Sequence, residues 1–431
     1  MKKEKTAQIA VIGAGVVGLC NALTLQRAGY GVTLFDAQLP GSQTSSGNAS
    51  YLATELIDPL ANPGTLKAAL RLWLHPHGPV ATPLAYFHKA LPWLWKFVRC
   101  GSESRAAKSR HALHALNHRA IAAWQRLLTA EGLEHHLLAS GYLQIWENPR
   151  ALTAAEQHLR HLQEWNINAR LIDHKEVAEL EPALAGRVAH AIYYPDACQM
   201  DDPLLLCQSL YRAFIQLGGQ FQQTAVTALS PDSQQVKLTT DNGHYQFDRA
   251  VLSTGAWSTR LLKPLGIDIP LEAERGYHIT WQGEQPPLSR PIGSAERNVV
   301  MTPLANGLRT VGFSEWGGLE VPFKQKRTAT LRHHSQALLP ELKHTDWPQQ
   351  EWMGFRPTLP DSLPVIDRHP VYPHLLLAFG HQHLGLTQAA ISAELILSLV
   401  EERQPALDLL PYALSRFCSI TGGETVKEPA K

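Results

Sequence analysis

The feature that most constrains the fold is a glycine-rich segment near the start of the chain. The apolar run AQIAVI, residues 7–12, leads into Gly13-Ala14-Gly15-Val16-Val17-Gly18, a GxGxxG pattern that continues into a helix-like segment. In such a unit the first glycine permits a tight turn, the second lets the backbone approach a pyrophosphate, and the third lets the helix pack on the strand. The phosphates lie at the helix N-terminus, where free N–H groups and the helix dipole favour an anion. The segment therefore predicts a dinucleotide-binding βαβ unit.

The residues that follow complete this unit. The helical stretch ends near Gly29, and a second apolar run, residues 32–35, ends at Asp36. A carboxylate at this distance is placed to hold a ribose hydroxyl, and it disfavours the 2′-phosphate of NADP. A glycine-rich turn without a ligand is the alternative interpretation.

Composition and charge exclude several classes of function. At 431 residues the chain is too long for one small core, so two domains are expected. The formal net charge of +1 gives no electrostatic reason to expect nucleic acid as a partner. Five scattered cysteines without CxxC pairs suit a reducing compartment, and a charged N-terminus that leads directly into the first strand resembles no signal peptide. We therefore expect a cytoplasmic protein.

Residues 66–99 differ from the rest of the chain. Aromatic residues are interleaved there with lysines, arginines and prolines, as in LAYFHKALPWLWKFVR. This pattern suits a membrane interface, where aromatic rings lie at headgroup depth and cations meet anionic lipid. Two buried amphipathic helices are the alternative, which the sequence favours. The segment is thus a candidate for peripheral binding to the inner face of the cytoplasmic membrane. No apolar run in the sequence is long enough to predict a membrane-spanning helix.

The order of the predicted elements indicates two interleaved domains. A largely helical region, residues 61–165, separates the first βαβ unit from a β-meander at 224–247, and the end of the chain repeats a strand, a glycine turn and a helix. We predict an α/β fold in which a Rossmann-like nucleotide-binding domain is interleaved with a second, α+β domain. The first comprises residues 1–60, 195–270 and 351–431, and the second residues 61–194 and 271–350.

The C-terminal unit favours a resident flavin over a mobile NAD. The predicted last helix follows GHQHLGLT, residues 380–387. If its N-terminus points at the flavin, its partial positive charge stabilises the negative charge that develops on reduction. An ordinary buried C-terminal helix is the alternative.

Several motifs together resemble one known family. GAGVVG with Asp36, TSSGNAS (44–50), GAWS (255–258), ERGYH (274–278), GFRP (354–357) and GHQHLGLT occur in the order found in the glycine oxidase and D-amino-acid oxidase superfamily. The chain most resembles bacterial D-amino-acid dehydrogenases, from residue 9 to about residue 417. The resemblance implies FAD as cofactor and an amino acid as substrate.

The resemblance also implies roles for individual residues. Arg356 would grip the substrate carboxylate, which suits a guanidinium because it can donate two charge-assisted hydrogen bonds. Tyr277 and His278 would contribute to the same site, and an interdomain salt bridge is the alternative role for Arg356. The implied cofactor-binding residues are Gly13, Ala14, Gly15, Val16, Val17, Gly18, Asp36, Ser45, Ser46, Asn48, Val226, Gly255, Gly380, His381, His383, Leu384, Gly385, Leu386 and Thr387.

The implied reaction is oxidation of a D-amino acid to a 2-oxo acid and ammonia. The α-hydrogen leaves as a hydride to the flavin, no side chain is expected to act as acid or base, and the electrons pass to a quinone-type acceptor or to oxygen. One alternative is a secondary amine or imino acid as substrate, such as sarcosine, glycine, D-proline or hydroxyproline. Others are a non-catalytic FAD-binding electron-transfer protein and an NAD-dependent dehydrogenase. No metal site is expected, because the histidine pairs at 75–77, 333–334 and 381–383 lack further ligands at metal-binding spacing.

Overall fold

The computed structural model describes residues 7–74, 78 and 80–417. In chain order the strands are β1 Gln8–Ile12, β2 Gly31–Asp36, β3 Tyr51–Leu52, β4 Val80–Ala81, β5 Leu137–Leu138, β6 Tyr142–Trp146, β7 Arg170–Asp173, β8 His190–Tyr194, β9 Cys198–Met200, β10 Gln220–Gln223, β11 Val226–Pro231, β12 Val236–Thr240, β13 Gly243–Phe247, β14 Arg249–Leu252, β15 Glu272–Gln282, β16 Ile292–Ser294, β17 Val299–Leu304, β18 Gly307–Trp316, β19 Gln349–Thr358, β20 Val365–Arg368 and β21 Leu375–Phe379. The α-helices are α1 Val16–Arg27, α2 Pro63–Leu74, α3 Leu84–Cys100, α4 Glu103–Glu131, α5 Leu152–Glu164, α6 His174–Leu180, α7 Pro203–Gln216, α8 Ser258–Leu262, α9 Gln325–Leu338 and α10 Gly385–Val400.

The first large sheet is the one that the GxGxxG segment predicted. Its strand order is β10-β2-β1-β14-β21-β20, and all neighbours are parallel except β20 and β21. Every residue of β21 is buried, as expected for a parallel strand that is covered on both faces. Helices α1, α7, α10 and α4 cover one face, and the three-stranded meander β11-β12-β13 covers the other.

The second large sheet carries the other half of the molecule. Its order is β19-β15-β18-β17-β16-β6-β8-β7, and β4 pairs with β18. The eleven-residue strand β15 lies between β19 and β18, and α9 packs against it. The two sheets draw their strands from alternating parts of the chain, so the predicted α/β fold class with interleaved domains is confirmed.

One predicted boundary needs correction. The limit at residue 351 falls inside β19, whose ten residues pair with β15 along their whole length. Residues 351–358 therefore belong to the second sheet, and the boundary moves to a position after Thr358. The GFRP motif thus lies in the second sheet and reaches the first only through its contacts.

Of the segment 66–99, residues 66–74 lie in α2 and residues 84–99 lie in α3. Helix α3 buries Trp93 and Phe97, whose rings stack at 5.1 Å, and Trp93 also contacts Trp316 at 5.7 Å between ring centroids. One face of α3 is therefore buried, in line with the buried amphipathic helix that the sequence favoured. The opposite face exposes large apolar side chains.

One helical stretch, Gln382–Val400, is long and apolar enough to cross a membrane by length and composition, with a mean hydropathy of 1.4. Its burial is 67%, and it packs against α1 and α4. Its apolar composition is therefore explained by its position as a core helix of the fold.

Candidate active site

A cavity of about 630 Å³ opens at the carboxyl ends of β1, β2, β14 and β21. Parallel strands direct their carboxyl ends to one edge of a sheet, where α/β folds bind ligands. The predicted cofactor residues that line this cavity are Gly13, Gly15, Val16, Val17, Asp36, Ser45, Asn48, Val226, Gly255, Gly380, His381, Gly385 and Leu386.

The three glycines of the first turn differ in what surrounds them. Gly13 has φ +101°, and a Cβ there would lie 2.5 Å from the carbonyl oxygen of Ser253. A Cβ on Gly18 would lie only 1.7 Å from the carbonyl oxygen of Gly13. At Gly15 the nearest heavy atom to such a Cβ is the Ser45 hydroxyl at 3.2 Å. Gly13 and Gly18 are therefore required by the fold, whereas Gly15 leaves room on the cavity side for a ligand.

Polar groups surround the N-terminus of α1. The Val16 N–H donates to the Ser45 hydroxyl at 2.9 Å. Asp36 accepts the N–H groups of Ala14 at 2.7 Å and Gln38 at 2.9 Å. Burial raises the pKa of Asp36 above its usual range, and these N–H groups oppose that rise. The carboxylate lies where the sequence predicted a ribose-binding group.

The second sheet holds the polar loop 44–48 from the other side. Arg309 donates through Nη1 to the carbonyl oxygens of Ser46 and Asn48, both at 2.8 Å. Thr44 exchanges hydrogen bonds with the backbone of Phe355 at 3.1 and 3.3 Å. Burial lowers the pKa of Arg309 to about 10. Sequence reasoning missed Arg309, because a single arginine within a β-strand carries no motif.

The N-terminus of α10 is held in place at the cavity by buried hydrogen bonds. The indole N–H of Trp124 donates to the carbonyl oxygen of Leu386 at 2.9 Å. The Ala53 N–H donates to the Thr387 hydroxyl at 3.0 Å, and His381 Nε2 lies 2.9 Å from the Ser392 hydroxyl. Burial lowers the pKa of His381 to about 3, so its imidazole is neutral at neutral pH.

The other predicted cofactor residues do not line the cavity. Ala14 bonds to Asp36, Gly18 packs beneath the turn, and Thr387 supports Ala53. Ser46 lies in the anchored loop, and Leu384 belongs to the apolar core. These five residues therefore lie behind the residues that line the cavity and hold them in position.

Arg356 lies opposite Glu274 in the β15–β19 pairing. Its Nη1 donates to Glu274 Oε1 and to the carbonyl oxygen of Phe313, both at 2.9 Å. Burial raises the pKa of Glu274, but the charge of Arg356 and the hydroxyls of Ser314 and Thr358 outweigh it and hold the pKa below its usual range. Arg356 therefore makes a salt bridge within the second sheet, and not the interdomain salt bridge that the sequence left as an alternative role. It occupies only one nitrogen of the guanidinium.

His383 lies close enough to Arg356 and Glu274 for both to act on its pKa. Burial, together with the charge of Arg356, lowers that pKa to about 4, and Glu274 opposes the decrease. The imidazole is therefore neutral at neutral pH. His383 faces the arginine of the second sheet, not the cavity at the end of the first.

Tyr277 and His278 lie on opposite faces of β15. Successive side chains of a strand point to opposite faces, so Tyr277 lies on the face of β15 opposite Glu274. It is buried in the apolar core, with its hydroxyl 3.4 Å from Glu315. His278 stacks on Trp352 at 4.8 Å and bonds through Nδ1 to the carbonyl oxygen of Gly47 at 3.1 Å. The structure thus places Tyr277 in the core and His278 against the polar loop, and their substrate contacts stay predictions.

Within residues 7–74, 78 and 80–417, no three His, Cys, Asp or Glu side chains gather closely enough to hold an ion. The histidines at 75 and 77 lie outside the described residues.

The cavity fits a dinucleotide with polar groups along its length. Ser253 Oγ and Gln382 Nε2 are buried at the cavity, and neither has a hydrogen-bond partner among the described residues. Together with the open backbone at Gly15, these orphaned groups indicate that a polar ligand completes the site. The N-termini of α1 and α10 lie at the same cavity, and their partial positive charges suit a pyrophosphate and a reduced flavin.

Comparison with known proteins decides the family. The family model for DAO-type FAD-dependent oxidoreductases matches residues 8–399. The chain belongs to the DAO family of FAD-dependent oxidoreductases. It is 30% identical over 416 residues to a D-amino-acid oxidase of Bradyrhizobium diazoefficiens, covering 95% of this chain and 98% of that one.

One further relative agrees with this family, and one solved structure agrees with the fold. A D-amino acid dehydrogenase of Vibrio vulnificus is 30% identical over 417 residues, covering 94% of this chain and 99% of that one. The crystal structure of glycine oxidase from Geobacillus kaustophilus superposes with a TM-score of 0.73 at 22% identity, covering 96% and 100% of the two chains. The predicted FAD cofactor and the predicted enzyme class are confirmed.

The glycine geometry predicts different outcomes for two substitutions. In Gly15→Ala the added methyl group enters the ligand side of the turn, so the protein should fold but bind FAD at least about tenfold more weakly, or about 1.4 kcal/mol. In Gly18→Ala the methyl group collides with backbone, so folding itself should fail. Flavin absorbance and circular dichroism of the two purified variants measure both effects. Full FAD binding by Gly15→Ala would contradict this account of the turn.

Buried neutral histidines predict a loss of stability in acid. Burial lowers the pKa of His278 to about 3 from the usual 6.5. Between these pH values the unfolded chain takes up a proton that the folded protein does not, so stability falls as pH drops below about 6.5. At pH 5 this one group should cost about 2 kcal/mol relative to pH 7.

Urea unfolding at pH 7 and pH 5 tests this contribution. The His278→Phe variant keeps a ring on Trp352 and should lose stability less steeply between these pH values than the wild type. His174→Phe, at an exposed histidine, is the control for the exchange of histidine for phenylalanine itself. An unchanged slope in His278→Phe would show that His278 takes up its proton in the folded protein.

Proposed function

We propose that this flavoenzyme oxidises D-amino acids to 2-oxo acids and ammonia. The observation that supports this proposal most strongly is the hydrogen bonding of Arg356. Its Nη1 donates to Glu274 and to the Phe313 carbonyl oxygen, whereas Nε and Nη2 are available for a carboxylate. The names of the relatives, D-amino-acid oxidase and D-amino acid dehydrogenase, support the amino-acid class and the D configuration. When bound, FAD supplies the acceptor for the hydride that leaves the α-carbon.

The side chains around Arg356 orient the substrate and keep the local charge low. A guanidinium and a carboxylate form a bidentate pair, which fixes the α-carbon relative to the sheet. His383 stays neutral because its pKa is about 4, so it adds no second cation beside the arginine. Loss of hydride and one proton from the neutral amine leaves an imine, which water hydrolyses to the 2-oxo acid and ammonia. No acid–base side chain is required, because positioning is the main catalytic term.

Anaerobic mixing of the purified yellow protein with D- and L-amino acids tests this reaction. We expect loss of flavin absorbance with one or more D-amino acids and none with their L-enantiomers. Bleaching only by sarcosine, glycine, D-proline or hydroxyproline would favour the secondary-amine alternative. A yellow protein that no amine bleaches would overturn the proposal in favour of an electron-transfer protein.

We further propose that the electrons pass to a quinone-type acceptor at the cytoplasmic face of a membrane. Helix α3 exposes Leu84, Leu91, Trp95 and Val98, with 93, 47, 65 and 50% of their surfaces accessible. Their spacing of seven, four and three residues places them on one helix face. Exposed Lys89, Lys96 and Arg99 border this apolar stripe, a combination that suits the surface of an anionic bilayer.

A basic groove continues from the end of this helix. It has a volume of about 860 Å³, and its lining includes the basic residues Lys96, Arg99, Arg105 and Lys108, the acidic residues Asp361 and Asp408, and apolar residues such as Leu363 and Phe417. A lining in which basic side chains outnumber acidic ones, beside apolar residues, is complementary to an anionic lipid. The groove therefore supports a lipid surface as the partner of α3. Oxygen as acceptor, with no membrane contact, is the competing proposal.

Vesicle sedimentation tests the membrane proposal. We expect the FAD-loaded protein to bind vesicles containing phosphatidylglycerol and to bind pure phosphatidylcholine vesicles weakly. The double variant Leu91→Glu with Trp95→Glu should lose at least about tenfold in affinity, since it places two anions on the face that meets the lipid. Val371→Glu, on the exposed turn between β20 and β21, is the control and should bind normally. Equal binding by all three proteins would contradict the assignment of α3.

A further inference from the structure

Glu274 is the most deeply buried acidic partner of the proposed substrate site. Its side chain is 1% exposed, and it accepts hydrogen bonds from Ser314 Oγ at 2.5 Å, Thr358 Oγ1 at 2.8 Å and Arg356 Nη1 at 2.9 Å. Burial of an ionised carboxylate is costly unless it is paired and its oxygens are hydrogen-bonded. Both conditions are met here, so Glu274 is fixed in place as an anion.

We propose that Glu274 is a positioning residue that sets the orientation of Arg356 for the substrate carboxylate. The inference rests on the proposed function. Glu274 holds one nitrogen of the guanidinium, and the fixed plane of that group then determines the direction of the other two. A rigid guanidinium loses little further entropy when it pairs with a carboxylate, so the substrate is bound with less cost.

A β-bulge in β18 supplies the second contact to the same nitrogen. The pairing of β15 with β18 shifts between Arg275 and Tyr277, and Phe313 adopts φ +67° at this point. Such a conformation is unfavourable for a phenylalanine, and bulges of this kind recur beside active sites. The bulge brings the Phe313 carbonyl oxygen to Nη1 of Arg356 and the Ser314 hydroxyl to Glu274. Both acceptors of Nη1 therefore belong to the second sheet.

Gly276 provides the surface on which the guanidinium lies. A Cβ on this residue would be 2.5 Å from Cζ and Nη2 of Arg356 and 2.7 Å from Nε. The guanidinium is thus packed against the backbone of β15. Within the part of the chain that the structure describes, Nε and Nη2 have no hydrogen-bond partner. A salt bridge with a purely structural role would not require the N–H groups of Nε and Nη2 to remain without acceptors.

Two substitutions of Glu274 separate positioning from simple stabilisation. In Glu274→Ala the guanidinium loses its anchor, so we expect the KM for the oxidised D-amino acid and the Kd for benzoate to rise 10- to 100-fold. The kcat should change less than about threefold, and FAD should be retained. In Glu274→Gln the side-chain oxygen still accepts from Nη1, so the increase should stay below tenfold. Benzoate binding is followed through the flavin spectrum and needs no turnover.

Glu351→Gln is the matched control. Glu351 lies on β19, the strand that carries Arg356, and pairs with Arg332 at 2.7 Å in a partly exposed bridge. Its substitution should change neither KM nor the benzoate Kd. If Glu274→Ala folds poorly, Thr358→Val removes one donor to Glu274 at nearly constant volume and should raise both constants about three- to tenfold.

The outcomes are distinguishable from failure of the proposed function. Unchanged benzoate Kd and KM in Glu274→Ala or Thr358→Val, with FAD retained, would overturn the positioning role. If no amino acid bleaches the wild type, the proposed function fails, but the benzoate titration still decides the role of Glu274. In that case Arg356→Ala should abolish benzoate binding, and Glu274→Ala should weaken it.

Discussion

The two halves of this molecule depend on one polar loop that is hydrogen-bonded from both sides. Residues 44–48 contact the N-terminus of α1 through Ser45 and the second sheet through Arg309 and Thr44. Arg309 is buried and satisfies two carbonyl oxygens of the loop, so its position fixes how closely the second sheet approaches the dinucleotide turn. Because His278 holds Gly47 as well, the loop cannot move without disturbing β15, the strand that carries Glu274. A few hydrogen bonds thereby link the cofactor cavity to the strand that carries the proposed substrate site.

The second constraint is the way in which charge is arranged around Arg356. Glu274 neutralises the guanidinium of Arg356, so this side chain is not an uncompensated buried cation. In the reaction that we propose, a substrate carboxylate meets an arginine whose direction is already set, although Glu274 reduces its net attraction. The arrangement exchanges some electrostatic affinity for orientation, which suits a reaction that depends on the alignment of the α-hydrogen. Neutral His383 and His381 avoid additional charge in the same region.

Local features of the sequence were sufficient to predict the first half of the fold. Gly13, Gly15 and Gly18 act within a few residues of one another, and Asp36 follows from the length of one βαβ unit. The site in the second sheet depends on which residues face each other across strands far apart in sequence. The ERGYH segment was recognised, but only the pairing of β15 with β19 shows that Glu274, and not Tyr277, shares a face with Arg356. The same cause explains the misplaced boundary at residue 351, because the local sequence of a strand does not indicate which sheet the strand joins.

The central claim is that a carboxylate binds to Arg356 while Glu274 holds the other side of the guanidinium. A crystal structure of the FAD-loaded protein with a carboxylate that cannot be oxidised, such as benzoate, tests it most directly. The account predicts carboxylate oxygens within about 3 Å of Nε and Nη2, with Nη1 still bonded to Glu274 and to the Phe313 carbonyl oxygen. A carboxylate bound elsewhere, with Arg356 making only its bridge to Glu274, would contradict the account.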